Sequence, residues 1–136
     1  MASRALPLPP GCVLGLGMDV AAISRIATTI DGARGARFLA RVFTERERAY
    51  CEQRKDRAAA YAARFAAKEA FVKALGVPKG ISWLHIEVVR ARGAPSLRLT
   101  DRAADELARR HARAVLTLSH DAGVAVAVVL ILSEGA

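Results

Sequence analysis

The order of elements along these 136 residues predicts an α+β fold, a mainly antiparallel sheet packed against one long buried helix and several shorter ones. Three observations carry this. The stretch from Arg57 to Gly76 (RAAAYAARFAAKEAFVKALG) is rich in strong helix formers and has no Gly or Pro before its last residue, so it reads as one helix of about five turns. Leu84 to Arg90 and Ser96 to Leu99 flank a turn at Gly93, as a hairpin does. Two further strands, Ala114 to Leu118 and Val124 to Leu132, lie close together near the end.

Taken in order, residues 1–12 read as a flexible extension and residues 13–136 as a single domain, large enough to bury a core. Val13 to Val20 (VLGLGMDV) reads as a buried strand, apolar on the parity of Leu14, Leu16, Met18 and Val20. The other parity holds Gly15, Gly17 and Asp19. Glycines weaken a strand unless another backbone or a ligand approaches closely, so this face is cleared either for a ligand near Asp19 or for a helix packed over the glycines, with Asp19 as a helix cap. Ile23, Ile26, Ala27 and Ile30 recur at helical spacing, and Asp31 and Gly32 end that helix. A second short helix, Arg34 to Val42, puts Arg34, Arg37 and Arg41 on one face with Phe38 and Val42 beside it, and Arg25 lies on the preceding helix. Such a row reads either as a solvated face or as a docking face; no carboxylate lies between Gly32 and Thr44 to balance it.

Thr44 followed by Glu47 is a capping box, opening a helix through Gln53. Asp56 caps the long helix, Gly76 ends it in the left-handed conformation, and Pro78 cannot continue it. Thr100 or Asp101 opens the last helix, which runs through Arg110 with Ala104, Leu107 and Ala108 inward. The two C-terminal strands are then joined by residues 119–123, which include Ser119, His120 and Asp121.

The net charge is +8, from 21 Lys and Arg against 13 Asp and Glu, which favours an anionic partner: nucleic acid, a membrane surface, a phosphorylated small molecule or an acidic protein. The hydrophobic content excludes global disorder. Cys12 and Cys51 form no CxxC pair and read as free thiols of a reducing cytosol. Three prolines spoil the opening residues as a signal peptide, and Val124 to Leu132 is too short to span a bilayer, so a cytoplasmic protein without a membrane partner is expected.

Asp19 and Glu69 are carboxylates in otherwise apolar elements. A hard cation such as Mg2+ is held by one or two carboxylates plus water and substrate phosphates, so the pair suits a metal shared with a phosphorylated ligand. Arg64, Lys68 and Lys73, on the same helix as Glu69, would meet the remaining phosphate charge, and phosphoryl transfer needs mainly positioning and neutralisation. Adjacent Ser119, His120 and Asp121 cannot form a hydrolase triad, because neighbouring side chains diverge; Ser119 and His120 read as phosphate contacts, a proton carrier or structural residues. His85 and His111 have no accompanying motif.

GLGMDV, RFAAKEAFVKALG, the small-residue turn with Pro95 and LTLSHDAGVAVAVV together resemble the single-domain holo-acyl-carrier-protein synthases, a branch of the 4'-phosphopantetheinyl transferases. The resemblance spans residues 13 to 132 in the expected order. It implies transfer of the phosphopantetheine arm of coenzyme A to a serine of an apo acyl carrier protein, leaving adenosine 3',5'-bisphosphate. It assigns Asp19 and Glu69 to Mg2+, and Arg64, Lys73, Gly76, Pro95, Ser119 and His120 to coenzyme A. Arg25, Arg37, Phe38 and Arg41 fall on a docking surface for an acidic carrier, with electrostatic steering as the physical reason. Lys73 would neutralise developing charge, and the base is either Glu69, acting through water on the metal, or His120. The chain is half as long as the two-domain branch and has no repeat, so a homo-oligomer, a trimer with interfacial sites, is implied. One departure stands out: where the family continues Gly-Thr-Gly after the long helix, this chain has Gly76, Val77, Pro78, Lys79 and Gly80, which leaves the loop contacts to coenzyme A open and offers Lys79 as a substitute.

Two competing readings remain. A basic nucleic-acid-binding module would leave Asp19 and Glu69 unexplained and has few aromatics for stacking, so no nucleic-acid partner is expected. A structural subunit without activity would need no such set of site residues.

Overall fold

Alanine's small side chain lets a helix sit close to whatever covers it, and the long helix is the element around which the others are arranged. In the computed structural model, which describes residues 12–90 and 93–134, the elements are β1 (Val13–Ala22), α1 (Ile23–Asp31), α2 (Gly35–Val42), α3 (Glu45–Glu52), α4 (Arg57–Ala74), a short 3-10 turn (Trp83–His85), β2 (Ile86–Val89), β3 (Ser96–Leu99), α5 (Asp101–Arg109), β4 (Ala112–Asp121) and β5 (Val124–Ser133). The expected extension lies outside the described residues except for Cys12, whose carbonyl accepts from Ser133 N. The fold is α+β, with an antiparallel sheet in the order β1-β5-β4 and a separate β2-β3 hairpin.

The caps work as their residue types dictate. Glu47 N donates to Thr44 Oγ1 at 3.2 Å while Thr44 N donates to Glu47 Oε1 at 3.0 Å. Asp56 Oδ1 accepts from Ala59 N at 3.0 Å at the start of α4, and Gly76, with φ of 78°, ends it. The next residue, Val77, also has positive φ, 57°, a costly conformation for a β-branched side chain.

The largest correction concerns β1. Its apolar parity was expected in the core, but Leu16 is 64 % exposed and Met18 56 %, with Leu14 and Val20 alongside. The buried parity is that of the glycines. A Cβ at Gly17 would lie 2.0 Å from the Ala70 carbonyl oxygen, and one at Gly15 would lie 2.1 Å from that of Ala74. The helix backbone therefore rests directly on the strand backbone, and the open alternative of a helix over two glycines is the one realised, without Asp19 as a cap. Ala125, Ala127, Val129 and Ile131 of β5 continue the covered side, where Phe71 of α4 is fully buried. Burying each large apolar side chain there is worth about 1.5–3 kcal/mol.

Two buried ionic clusters replace expected solvent or site contacts. Lys68, assigned above to phosphate, is wholly buried: its ammonium lies 2.7 Å from Glu47 Oε1 and also donates to the carbonyls of Trp83 and Ile86. Glu47 Oε2 in turn accepts from Val88 N at 2.9 Å, so the pair ties α3, α4 and β2 together. Removing one partner strands the other charge, so Lys68→Met is expected to cost about 3–5 kcal/mol in urea unfolding. A loss below about 1 kcal/mol would show that the amides alone satisfy Glu47.

In α5 Leu107 is inward as expected, but its buried companions are Ala103 and Glu106 rather than Ala104 and Ala108. Arg109, Arg102 and Arg110 each bond Glu106, at 2.7, 2.7 and 2.8 Å, and draw its carboxyl down to about 2. Arg110 also donates to the Leu75 carbonyl, fastening α5 to the end of α4. Strand β2 begins at Ile86 rather than Leu84, because Ser82 caps the 3-10 turn ahead of it. No helix among the described residues is long and apolar enough to cross a membrane.

Candidate active site

Helix α4 presents a different polar group on each flank. Toward β1 and α1, a cleft of about 230 Å³ is lined by residues 19–22 of β1, Arg25, Ile26, Phe65 and Glu69. Asp19 and Glu69 share it because the glycine contact seats α4 against β1. Lys73, one turn beyond Glu69, donates to Asp19 Oδ1 at 2.8 Å, and this bond raises the lysine's own pKa. Burial, and then the like charge of Asp19, raise the Glu69 carboxyl above the ordinary carboxylate range, against the opposing pull of Lys73. Two carboxylates thus converge in a partly desolvated cleft, faced by the half-exposed Lys73 ammonium and by Arg25 on the cleft wall. Converging carboxylates supply the hard oxygen donors that a divalent cation takes. Among the described residues no cluster of three or more His, Cys, Asp or Glu side chains forms, so a cation here would draw its other ligands from water and phosphate, as Mg2+ does.

On the opposite flank, a cavity of about 290 Å³ lies between the α3–α4 turn, α4 and β4. It brings Arg64, Ser119 and His120 together with Tyr50, Arg54, Lys55 and Arg90. Ser119 and His120 are not in a joining loop as expected. They belong to β4, whose pairing with β5 runs on through Asp121↔Val124. The connection is the two-residue turn Ala122–Gly123, both with positive φ (50° and 80°), which matches a type I′ hairpin.

Cross-strand neighbours point to one face, so the register relates the two flanks. Asp19 lies opposite Ala127 and His120 opposite Ala125, which places both side chains on the α4 side of the sheet, on its two outer strands. Strand β5 and the body of α4 stand between them, roughly 10 Å apart across the sheet.

The other candidates divide. Arg37 and Arg41 are exposed on α2. Phe38 is half-buried, its ring 6.0 Å from those of Phe43 and Phe65, so it belongs partly to the core. Arg25 lines the acidic cleft rather than the α2 surface. Gly76 and Pro95 line neither cavity. The sequence reading missed Tyr50, Arg54, Lys55 and Arg90; the signal was the Arg54–Lys55 pair just before the long helix.

Residues 15–129 match the model of the 4'-phosphopantetheinyl transferase superfamily. The chain is 58 % identical over 126 residues to the holo-[acyl-carrier-protein] synthase of Anaeromyxobacter sp. (strain K), covering 90 % of this chain and 98 % of that one. It is 53 % identical over 123 residues to that of Myxococcus xanthus (strain DK1622), covering 90 % and 98 %. Among solved structures, the holo-(acyl-carrier-protein) synthase of Bacillus anthracis str. Ames in complex with CoA (3',5'-ADP) superposes with a TM-score of 0.75 at 32 % identity, covering 91 % of this chain and all of that one. The Helicobacter pylori enzyme in complex with coenzyme A gives 0.73 at 30 %, covering 85 % and 98 %. Sequence motifs, fold and relatives agree, and the chain belongs to the 4'-phosphopantetheinyl transferase superfamily, on its holo-acyl-carrier-protein synthase branch.

Proposed function

We propose that the protein transfers the 4'-phosphopantetheine arm of coenzyme A to a serine of an acidic apo acyl carrier protein. The observation that carries this is the pairing, on the two flanks of one helix, of an acidic cleft with a basic cavity, in a chain so similar to enzymes of that name. The serine oxygen forms a bond to the phosphorus bearing the pantetheine arm, the bond to the bridging oxygen breaks, and adenosine 3',5'-bisphosphate leaves. Asp19 and Glu69 would hold Mg2+, which when bound offsets pyrophosphate charge. Lys73 neutralises charge on the leaving side, Arg64, Ser119 and His120 receive the nucleotide phosphates, and Glu69 or His120 takes the serine proton. Arg37 and Arg41 present positive charge to the carrier and steer its approach. A reducing cytoplasm suits the free Cys12 and Cys51.

The working unit is a homo-oligomer, and a trimer is the state we propose. Two features support it. Among the described residues the outer side of β1 is an exposed apolar row, and Leu16, Met18 and Val20 continue it across the register into Leu130, Val128 and Val126. The acidic cleft and basic cavity are also separated by α4, so one ligand reaches both most directly when the cavity of a second copy faces the cleft of the first.

The primary test is intact-mass measurement of an apo acyl carrier protein after incubation with the protein, coenzyme A and Mg2+. A gain of one phosphopantetheine is expected, and no gain with several carriers from folded protein would reject the function. Assembly is tested by mixing Glu69→Gln and His120→Ala subunits, each inactive alone. Random exchange in a ring of shared sites restores about a quarter of the activity, whereas sites contained in one chain restore none.

A further inference from the structure

Arg64 is an unusual buried cation. It is only 4 % exposed, and among the described residues no carboxylate lies within ion-pair distance of it. One terminal nitrogen donates to the Ala60 carbonyl at 3.2 Å, and its Nε is buried without a hydrogen bond. The buried Glu47 is taken by Lys68. A guanidinium in this position carries a desolvation cost that no ion pair among the described residues offsets. What does meet it is the face of Tyr50, whose ring centroid lies 4.1 Å from Arg64 Cζ, with the Arg54 guanidinium 5.4 Å from the same ring.

We infer that Tyr50 is a positioning residue for the reaction: its ring holds the Arg64 guanidinium, through a cation–π stack, in the orientation that receives a phosphate of coenzyme A in the cavity shared with His120. The inference rests on the proposed reading of that cavity. Tyr50 is suited to the task because α3 is fixed at its start by the capping box and, beside Tyr50, by the fully buried Cys51. The ring faces the ionic group without neutralising it, so Arg64 keeps its full charge for an incoming anion. A carboxylate in the same place would hold the arginine equally well but cancel that charge. The stack thus gives preorganisation, which lowers the cost of binding.

The test measures kcat and the KM for coenzyme A in wild type, Tyr50→Leu, Tyr50→Phe, Arg64→Ala and the Tyr50→Leu/Arg64→Ala double variant, with circular dichroism to verify folding. Tyr50→Leu is expected to raise the KM by about five- to thirtyfold with kcat changed less than about twofold. Tyr50→Phe, which keeps the ring, restores the wild-type KM, and Tyr50→Leu adds nothing in the Arg64→Ala background. Equal effects of Tyr50→Leu with and without Arg64, or a Phe variant as impaired as the Leu variant, would overturn the inference. If Arg64→Ala leaves the KM unchanged, the assignment of the cavity to coenzyme A fails with it; if Arg64→Ala raises the KM and Tyr50→Leu does not, only the role of Tyr50 fails. Should the Leu variant lose its structure, Tyr50→Met takes its place, with the same outcomes.

Discussion

Glu69→Gln is expected to lower phosphopantetheine transfer by on the order of a hundred- to a thousandfold, because neutralising charge on a transferring phosphoryl group is worth several kcal/mol and each 1.4 kcal/mol is tenfold. Glutamine keeps the size of the side chain, so the helix and its glycine contact should survive. It removes one of the two charges that converge in the cleft, and with it the burial cost and the repulsion from Asp19 that raise the Glu69 carboxyl. The folded variant should therefore be at least as stable as wild type to heat, while intact-mass assay of the carrier shows little product. Undiminished product would mean that Glu69 neither holds a cation nor serves as the base, and Asp19 would have to carry the cleft alone.

The second large effect is structural. Gly17→Ala places a methyl group 2.0 Å from the Ala70 carbonyl oxygen and 2.7 Å from Ala74 N, both backbone atoms of α4 that no rotamer change can move aside. The helix must lift from the sheet, and a loss of about 3 kcal/mol or more is expected, at the upper end of overpacking costs, with a matching drop in the urea midpoint. Transfer should fall in whatever folded protein remains, since Asp19 sits two residues along the same strand and Glu69 next to Ala70. A variant with wild-type stability would show that α4 is free to slide. Alanine at Gly123, where a Cβ meets nothing, disturbs only the left-handed turn and serves as the control.

Local chemistry made much of the fold legible. The capping box at Thr44, the Asp56 cap, the Gly76 stop and the strand from Ser96 to Leu99 depend on residues within a few positions of one another. The family motifs, read in order, led to the branch that the relatives confirm. What depended on distant partners was not legible. Alternation in β1 separates two faces but does not say which is covered, and here backbone contact over glycine took the side that hydrophobicity would have given to Leu16 and Met18. Lys68 was read as a site cation because its acceptors come from Glu47 and from the Trp83–Ile86 stretch, well away on the chain. Glu106 is buried because three arginines of its own helix and its C-cap surround it, a pattern that hydrophobic spacing does not report. In the candidate site, Asp19 with Glu69 and Arg64 with Ser119 and His120 were chosen from sequence and are brought together in pairs by the fold. Tyr50 carries no motif of its own, and only the fold brings its ring onto Arg64.

The strand order has a consequence for how the molecule is made. Strand β1 leaves the ribosome first, yet its sheet partner is β5, the last strand, with Ala22 opposite Val124 roughly a hundred residues later. At about 5–20 residues per second, β1 waits on the order of 5–20 s for its hydrogen-bonding partner. During that interval its backbone groups and the side chains of Leu14, Leu16, Met18 and Val20 are open to any other strand. Closure by so non-local a pairing makes folding slow and leaves β1 open to other strands until β5 has emerged.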